Sequence, residues 1–413
     1  MKSIIVGTCL ILLNLCNISN ELQAQSSDDD LYIFGFSQII LNSRQLKSST
    51  IPTASLPIST SINSTSTSFA LHQVNLFFQK SINEKTTFFL NFEASGSYSS
   101  RIPSGEFEVP EGWISFQLND NIELKTGLLL PKFNNLNEIK NRIPLFPYII
   151  RPVVYETLFD NIFKPEDYKP QSAYVQIIGY KNISDKLIFD YSFYIGNSED
   201  SFLSSVRGSE HVAQEDNATL YRGENLNSEL LFGGRFGLEN YLNTAKFGIS
   251  YTIDEDNRTE PVKSVFRLPE LTTPILGEIP RYRLGVDLSF TYKKIAFESE
   301  YMGVFHDHSE IRKKEAFRNA NLNKYFLYSN ITYNYNDKIY LFGTASFNSD
   351  NTFEFVAPNS PSKAGIQIIS GGGGWRINDV TVFKIQFLYS YLPDNDYLDY
   401  TFKMLTLGIS TIF

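Results

Sequence analysis

Residues 401–413 read TFKMLTLGISTIF. Lys403, Leu405, Leu407, Ile409, Thr411 and Phe413 recur at period two and share one face, which marks a strand with two unlike sides. The strand runs to Phe413 without a polar tail. A barrel in lipid needs such an end, because its first and last strands must pair and leave no open edge.

Working outward, the same alternation recurs along the chain. Over 281–290, Tyr282, Leu284, Val286, Leu288 and Phe290 oppose Arg281, Arg283, Gly285, Asp287 and Ser289. Phe88, Leu90 and Phe92 oppose Asn91, Glu93 and Ser95, and Phe383, Ile385 and Phe387 oppose Lys384 and Gln386. Sixteen segments of this kind are read, from 31–41 to 401–413. Most have about the 9–11 residues that a tilted membrane strand needs. Periodicity alone leaves two readings. A membrane barrel turns its apolar face outward, and a soluble sandwich turns it inward.

The connections favour the barrel. Seven are short, near Asn83, Asn119, Asn182, Tyr241, Tyr292, Asn336 and Asn378. Eight are longer: 42–67, 97–108, 131–170, 197–227, 253–280, 304–322, 349–362 and 390–400. Long and short alternate, as on the two rims of an outer-membrane barrel. The fold expected is an all-β transmembrane antiparallel β-barrel of about sixteen strands, up-and-down, with both termini periplasmic.

Residues 1–24 read as a signal peptide and 25–413 as the barrel. Lys2 gives the positive start, Ile4 to Leu15 the apolar run, and Leu22-Gln23-Ala24 the cleavage site. Cys9 and Cys16 both lie in this leader, so the mature chain would hold no disulfide. The net charge of −9 weighs against nucleic acid as a partner.

No nucleophile elbow, phosphate loop or zinc-protease helix pattern is present in the sequence. No catalytic residue, metal site or cofactor is expected. His306-Asp307-His308 and Asp254-Glu255-Asp256 read as solvated loop residues, with Ca²⁺ ligation by the acidic run as the alternative. The Ser/Thr-rich stretch 48–68 reads as an external loop, and Gly371 to Gly374 as tight curvature or a place where a loop meets the wall.

Function concentrates in 131–170. Leu145, Phe146, Tyr148, Ile149, Ile150, Val153, Val154 and Tyr155 would form an exposed apolar patch if this loop stood in water. Folded into the barrel, they would pack on the wall. Lys140, Arg142, Arg151, Glu156 and Asp160 would then project into the channel and narrow it. The alternative is an external lid with its own core. Wall residues assigned to the lumen are Glu93, Glu123, Lys125, Asp190, Arg235, Lys246, Arg281, Arg283, Asp287, Glu298, Glu300 and Lys384. Arg281 and Arg283 form the best cationic pair, with Glu298 and Glu300 expected to offset it from the next strand.

One region carries a family resemblance. Glu111-Gly112-Trp113-Ile114-Ser115-Phe116-Gln117-Leu118-Asn119-Asp120, followed by Leu124-Lys125-Thr126-Gly127-Leu128-Leu129-Leu130-Pro131-Lys132-Phe133, resembles the strand–turn–strand region of the phosphate-selective porin O/P-like family. Arg151-Pro152 and Glu156 resemble its next segment. The resemblance implies a sixteen-stranded diffusion porin, general or anion-preferring, often a homotrimer. The chain departs from that pattern at Asn134, where a glycine commonly follows the phenylalanine, and it lacks a dense arginine/lysine series.

The partners expected are outer-membrane lipid and lipopolysaccharide outside the wall and small hydrophilic solutes or ions, anions included, within it. Passive diffusion is the first functional reading. A loop-plugged barrel acting as a surface binding or structural protein is the second.

Overall fold

A computed structural model describes residues 31–50, 61–96, 105–156, 170, 172–198, 230–242, 244–256, 279–307, 323–350, 364–392 and 398–413. The expected leader at 1–24 lies outside the described residues, as do Asp160, His211 and His308.

The chain forms sixteen strands: β1 (Leu31–Thr50), β2 (Ser61–Asn83), β3 (Thr86–Ser95), β4 (Glu106–Asn119), β5 (Ile122–Leu129), β6 (Ser172–Ser184), β7 (Leu187–Asn197), β8 (Leu230–Asn240), β9 (Ala245–Asp256), β10 (Ile279–Tyr292), β11 (Ile295–His306), β12 (Lys324–Asn334), β13 (Ile339–Asp350), β14 (Ala364–Arg376), β15 (Thr381–Tyr391) and β16 (Leu398–Ile412). Each pairs antiparallel with its neighbours in sequence, and β1 with β16 closes the barrel. At the seam the Gly35 N–H donates to Phe413 O at 2.8 Å, and the Phe413 N–H donates back to Gly35 O at 3.0 Å. Gln38 Nε2 donates to Ser410 Oγ at 2.7 Å, and Thr406 Oγ1 to Asn42 Oδ1 at 2.8 Å.

The faces settle barrel against sandwich. On β10, Tyr282, Leu284, Leu288 and Phe290 are exposed, while Arg281, Arg283 and Asp287 are buried. On β16, Leu405, Ile409 and Phe413 are exposed, while Met404, Thr406 and Ser410 are buried. Apolar outside and polar inside is the arrangement of a membrane barrel.

The short turns have a shared chemistry. The side-chain oxygens of Asn83, Asn119, Asn240, Asn336 and Asn378 each accept a backbone N–H from within their own turn, at 2.7 to 2.9 Å. An asparagine that holds the turning backbone needs no long connection, which is why these reversals are brief. The Ser/Thr-rich stretch departs from expectation. β1 and β2 pair out to Ser49 and Ser61 with one register shift at Gln38/Ile39, so 48–50 and 61–68 are strand, while 51–60 lie outside the described residues. Threonine and serine pair readily in a ladder that carries no apolar face.

Candidate functional site

The segment 131–156 runs against the inner wall. After β5 the chain makes three single 3-10 turns, Asn137–Ile139, Ile143–Leu145 and Val153–Tyr155. Phe133, Leu136, Ile149, Ile150, Val153, Val154 and Tyr155 pack with Ile40, Met302, Val304, Phe326, Tyr328, Ile366, Ile368, Leu388, Phe402 and Met404. Those wall residues come from β1, β11, β12, β14, β15 and β16 and face inward. The lumen side of the barrel therefore has an apolar strip where this segment lies. Each fully buried aliphatic side chain there contributes about 1.5–3 kcal/mol relative to standing in water.

Hydrogen bonds fix the segment from opposite sides of the barrel. On β2, Gln73 Nε2 donates to Asn141 O at 2.6 Å. On β15, Gln386 Oε1 accepts the N–H groups of Ile149 and Ile150 at 2.7 and 2.8 Å, and Lys384 Nζ donates to Pro144 O and Phe146 O at 2.9 and 2.6 Å. On β13, Tyr340 donates to Pro147 O at 3.0 Å, its ring lying over Gly374 of β14. Of the glycine run 371–374, Gly374 leaves the room for this ring. On β11, Glu300 accepts the Leu136 N–H at 2.8 Å and the Tyr155 hydroxyl at 2.7 Å, and Glu298 accepts the Tyr148 hydroxyl at 3.4 Å. Burial raises both phenols well above their ordinary range, so they stay protonated and donate.

Asn134 turns the chain into the lumen with φ at 56°, in the left-handed region. Glycine enters that region freely, and asparagine enters it more readily than other side chains, so Asn134 fills a position suited to glycine. Its N–H donates to Ser250 Oγ at 2.9 Å, and its side chain rests on Gly285. A Cβ at 285 would overlap Asn134 Oδ1. Gly285→Ala is expected to push this corner off β10 and cost about 1–3 kcal/mol. A denaturant midpoint in detergent that stays unchanged would refute the contact.

The anticipated lumen residues lie as follows. Lys140 and Glu156 are buried between segment and wall, at 4% and 1% exposure. Arg151 Nη2 meets Glu156 Oε1 at 3.4 Å, and Arg151 Nη1 donates to Lys140 O at 2.8 Å. Arg142 is half-buried, within Coulombic range of Glu111 on β4. Arg281 and Arg283 are inward on β10 but are offset from the other side: Arg281 Nη2 and Arg283 Nη1 reach Asp254 Oδ2 on β9 at 2.5 and 3.1 Å. This corrects the expected offset by Glu298 and Glu300. The ladder sets Arg281 opposite His306 and Arg283 opposite Val304, and puts Glu298 and Glu300 nearer the short-turn rim. It also corrects the reading of Asp254 and His306 as solvated loop residues. Both lie buried on strand ends. Among the described residues no His, Cys, Asp and Glu group could hold a metal ion.

Beside the segment runs a chain of alternating charge. Lys132 Nζ meets Asp190 Oδ1 at 2.8 Å, Arg235 Nη1 meets the same oxygen at 2.6 Å, and Arg235 Nη2 meets Asp287 Oδ1 at 2.7 Å. Arg235 Nη2 also donates to Asn135 Oδ1 at 3.4 Å. Period two places Asp190, Arg235 and Asp287 on the inner face. It carries no signal of this linkage, nor of the parts played by Gln73, Ser250 and Tyr340.

No family model matches the chain, and no curated protein matches it. Solved structures do. OmpT, an outer membrane protein of Vibrio cholerae, superposes with a TM-score of 0.52 at 8% identity, over 94% of this chain and 99% of that one. The outer membrane channel DcaP of Acinetobacter baumannii gives the same TM-score, identity and coverage. Salmonella typhi OmpF, solved with daunomycin, gives a TM-score of 0.50 at 10% identity over 91% and 97%. With so little sequence in common, the likeness is one of fold alone: a closed, sixteen-stranded antiparallel barrel.

Proposed function

We propose that this chain is an outer-membrane porin that lets small hydrophilic solutes or ions diffuse through its lumen, with segment 131–156 as the constriction. The observation that carries the reading is an inner wall lined with polar and charged side chains and crossed by one anchored segment, inside an apolar outer surface. A barrel of sixteen strands encloses a water-filled lumen unless something narrows it. The segment narrows it, and its half-buried Arg142 is the charge expected at the remaining passage. Catalysis has no part in this reading.

Leu31, where the described chain begins, and Phe413 lie toward the short-turn rim, which is assigned to the periplasm, with residues 1–24 as the export leader. The Vibrio cholerae protein has been solved in a trimer form, and a trimer is proposed here too. The segment around 111–133 supports kinship with the phosphate-selective O/P-like porins. Phosphate selectivity is not proposed, because Arg235, Arg281 and Arg283 are each ion-paired.

Purified, folded protein in a planar bilayer is expected to give discrete conductance steps, with a reversal potential near zero across a salt gradient because both charge signs line the inner wall. Folded protein that inserts and carries no current would overturn the proposal in favour of a plugged barrel.

A further inference from the structure

We propose that the lumen holds a binding site for a neutral ring polyol of hexose size, in the cavity beneath segment 131–156 on its short-turn side. The proposal rests on the reading that solutes enter this lumen. The cavity measures about 340 Å³, near the lower end for small-molecule sites, which suits one ring rather than a chain.

The strand register builds its floor. Ala296 of β11 sits between Thr291 of β10 and Thr332 of β12, and one row above, Glu298 sits between Ser289 and Asn330. With strands about 4.8 Å apart, the two threonine backbones are roughly 10 Å apart. The small Ala296 leaves a hollow between two hydroxyls, with a carboxylate oxygen at its upper edge. Ser289 and Thr291 hold no side-chain hydrogen bond among the described residues, so their hydroxyls can serve a ligand.

The roof is apolar. Leu145, Phe146 and Pro147 line the cavity, and Leu145 is exposed. A polyol ring has the matching shape: a C–H face for the roof, and hydroxyls that both donate and accept for the floor.

The charged lining residues favour a neutral ligand. Lys384 Nζ already serves two backbone carbonyls of the roof. Arg376 donates to Asp337 O and Asn334 Oδ1 and lies 4.9 Å from the Tyr340 ring centre. Glu298 accepts from Tyr148.

The test is calorimetric titration of the full, detergent-folded chain with glucose, gluconate and glucosamine. Glucose is expected to saturate in the millimolar range and to bind more tightly than either charged analogue. Ser289→Ala with Thr291→Val removes the two partnerless hydroxyls and should weaken binding at least tenfold. Ala296→Val fills the hollow and should abolish it. Both variants should retain the wild-type circular dichroism, since neither breaks a contact. Tighter binding of gluconate or glucosamine, no saturation by glucose, or glucose binding that the two variants leave unchanged would each overturn the site. Conductance without glucose binding sinks the site and spares the porin reading. Glucose binding without conductance does the reverse.

Discussion

Deleting residues 140–156 and joining the ends with a short glycine–serine linker is expected to raise single-channel conductance roughly threefold or more. The deleted stretch carries Ile149, Ile150, Val153, Val154 and Tyr155, which fill the apolar strip of the lumen. The wall itself should persist, because its ladder of backbone hydrogen bonds is complete without the segment. Removal does expose Met302, Phe326, Ile366 and Phe402 to water, so the variant could fold poorly. A gentler change keeps the test decisive. Gln386→Leu takes the acceptor from the Ile149 and Ile150 N–H groups together. Two buried donors without a partner cost about 1–3 kcal/mol each. The segment should then detach part of the time, and the record should show added open-channel noise and brief steps of higher current. Unchanged conductance in the deletion, with a quiet Gln386→Leu record, would show that current does not pass by this segment.

The barrel was legible because its rule is local. Each strand shows its two faces at period two, and five of the seven short turns show an asparagine that holds the backbone, so residues 281–290 or 378–389 can be read without knowing what lies beside them. The segment 131–156 was legible for a related reason. Pro144, Pro147 and Pro152 interrupt an apolar run that water would not tolerate.

Other features depend on the register, which period two does not fix. Asp254 looked like a member of an acidic loop until the pairing of β9 with β10 set it opposite Arg281. The inward Met302, Phe326 and Met404 break the polar-in rule, and they make sense only once the segment that covers them is in place. The serine and threonine of 61–68 have no apolar contrast to announce a strand, and only their pairing with β1 reveals one.

Arg235→Ala is expected to lower the stability of the folded barrel by about 3–5 kcal/mol, the usual loss when one partner of a buried ion pair is removed. The guanidinium is enclosed on purpose-shaped ground. A Cβ at Gly237 of β8 or at Gly248 of β9 would overlap the Arg235 guanidinium or its carboxylate partners, so both glycines leave room for the fork. Arg235 holds Asp287 through Nε at 3.0 Å and Nη2 at 2.7 Å while reaching Asp190 through Nη1. Asp287 is fully buried, and the ladder sets it opposite Glu300. Without Arg235, Asp287 loses the cation that holds it from the β8 side while Glu300 stays beside it on β11, and Lys132 is left to serve Asp190 alone. Arg235→Lys keeps the charge but cannot form the two parallel bonds, so it should recover only part of the loss. Adding Asp287→Asn to Arg235→Ala should also restore part of it, because the carboxylate that lost its partner is then gone. Guanidinium unfolding in detergent, followed by the gel shift between folded and unfolded barrel, reads all four proteins. An Arg235→Ala midpoint equal to wild type would mean that water reaches these carboxylates, and that Lys132, Asp190, Arg235 and Asp287 line an open passage rather than hold the segment's base to the wall.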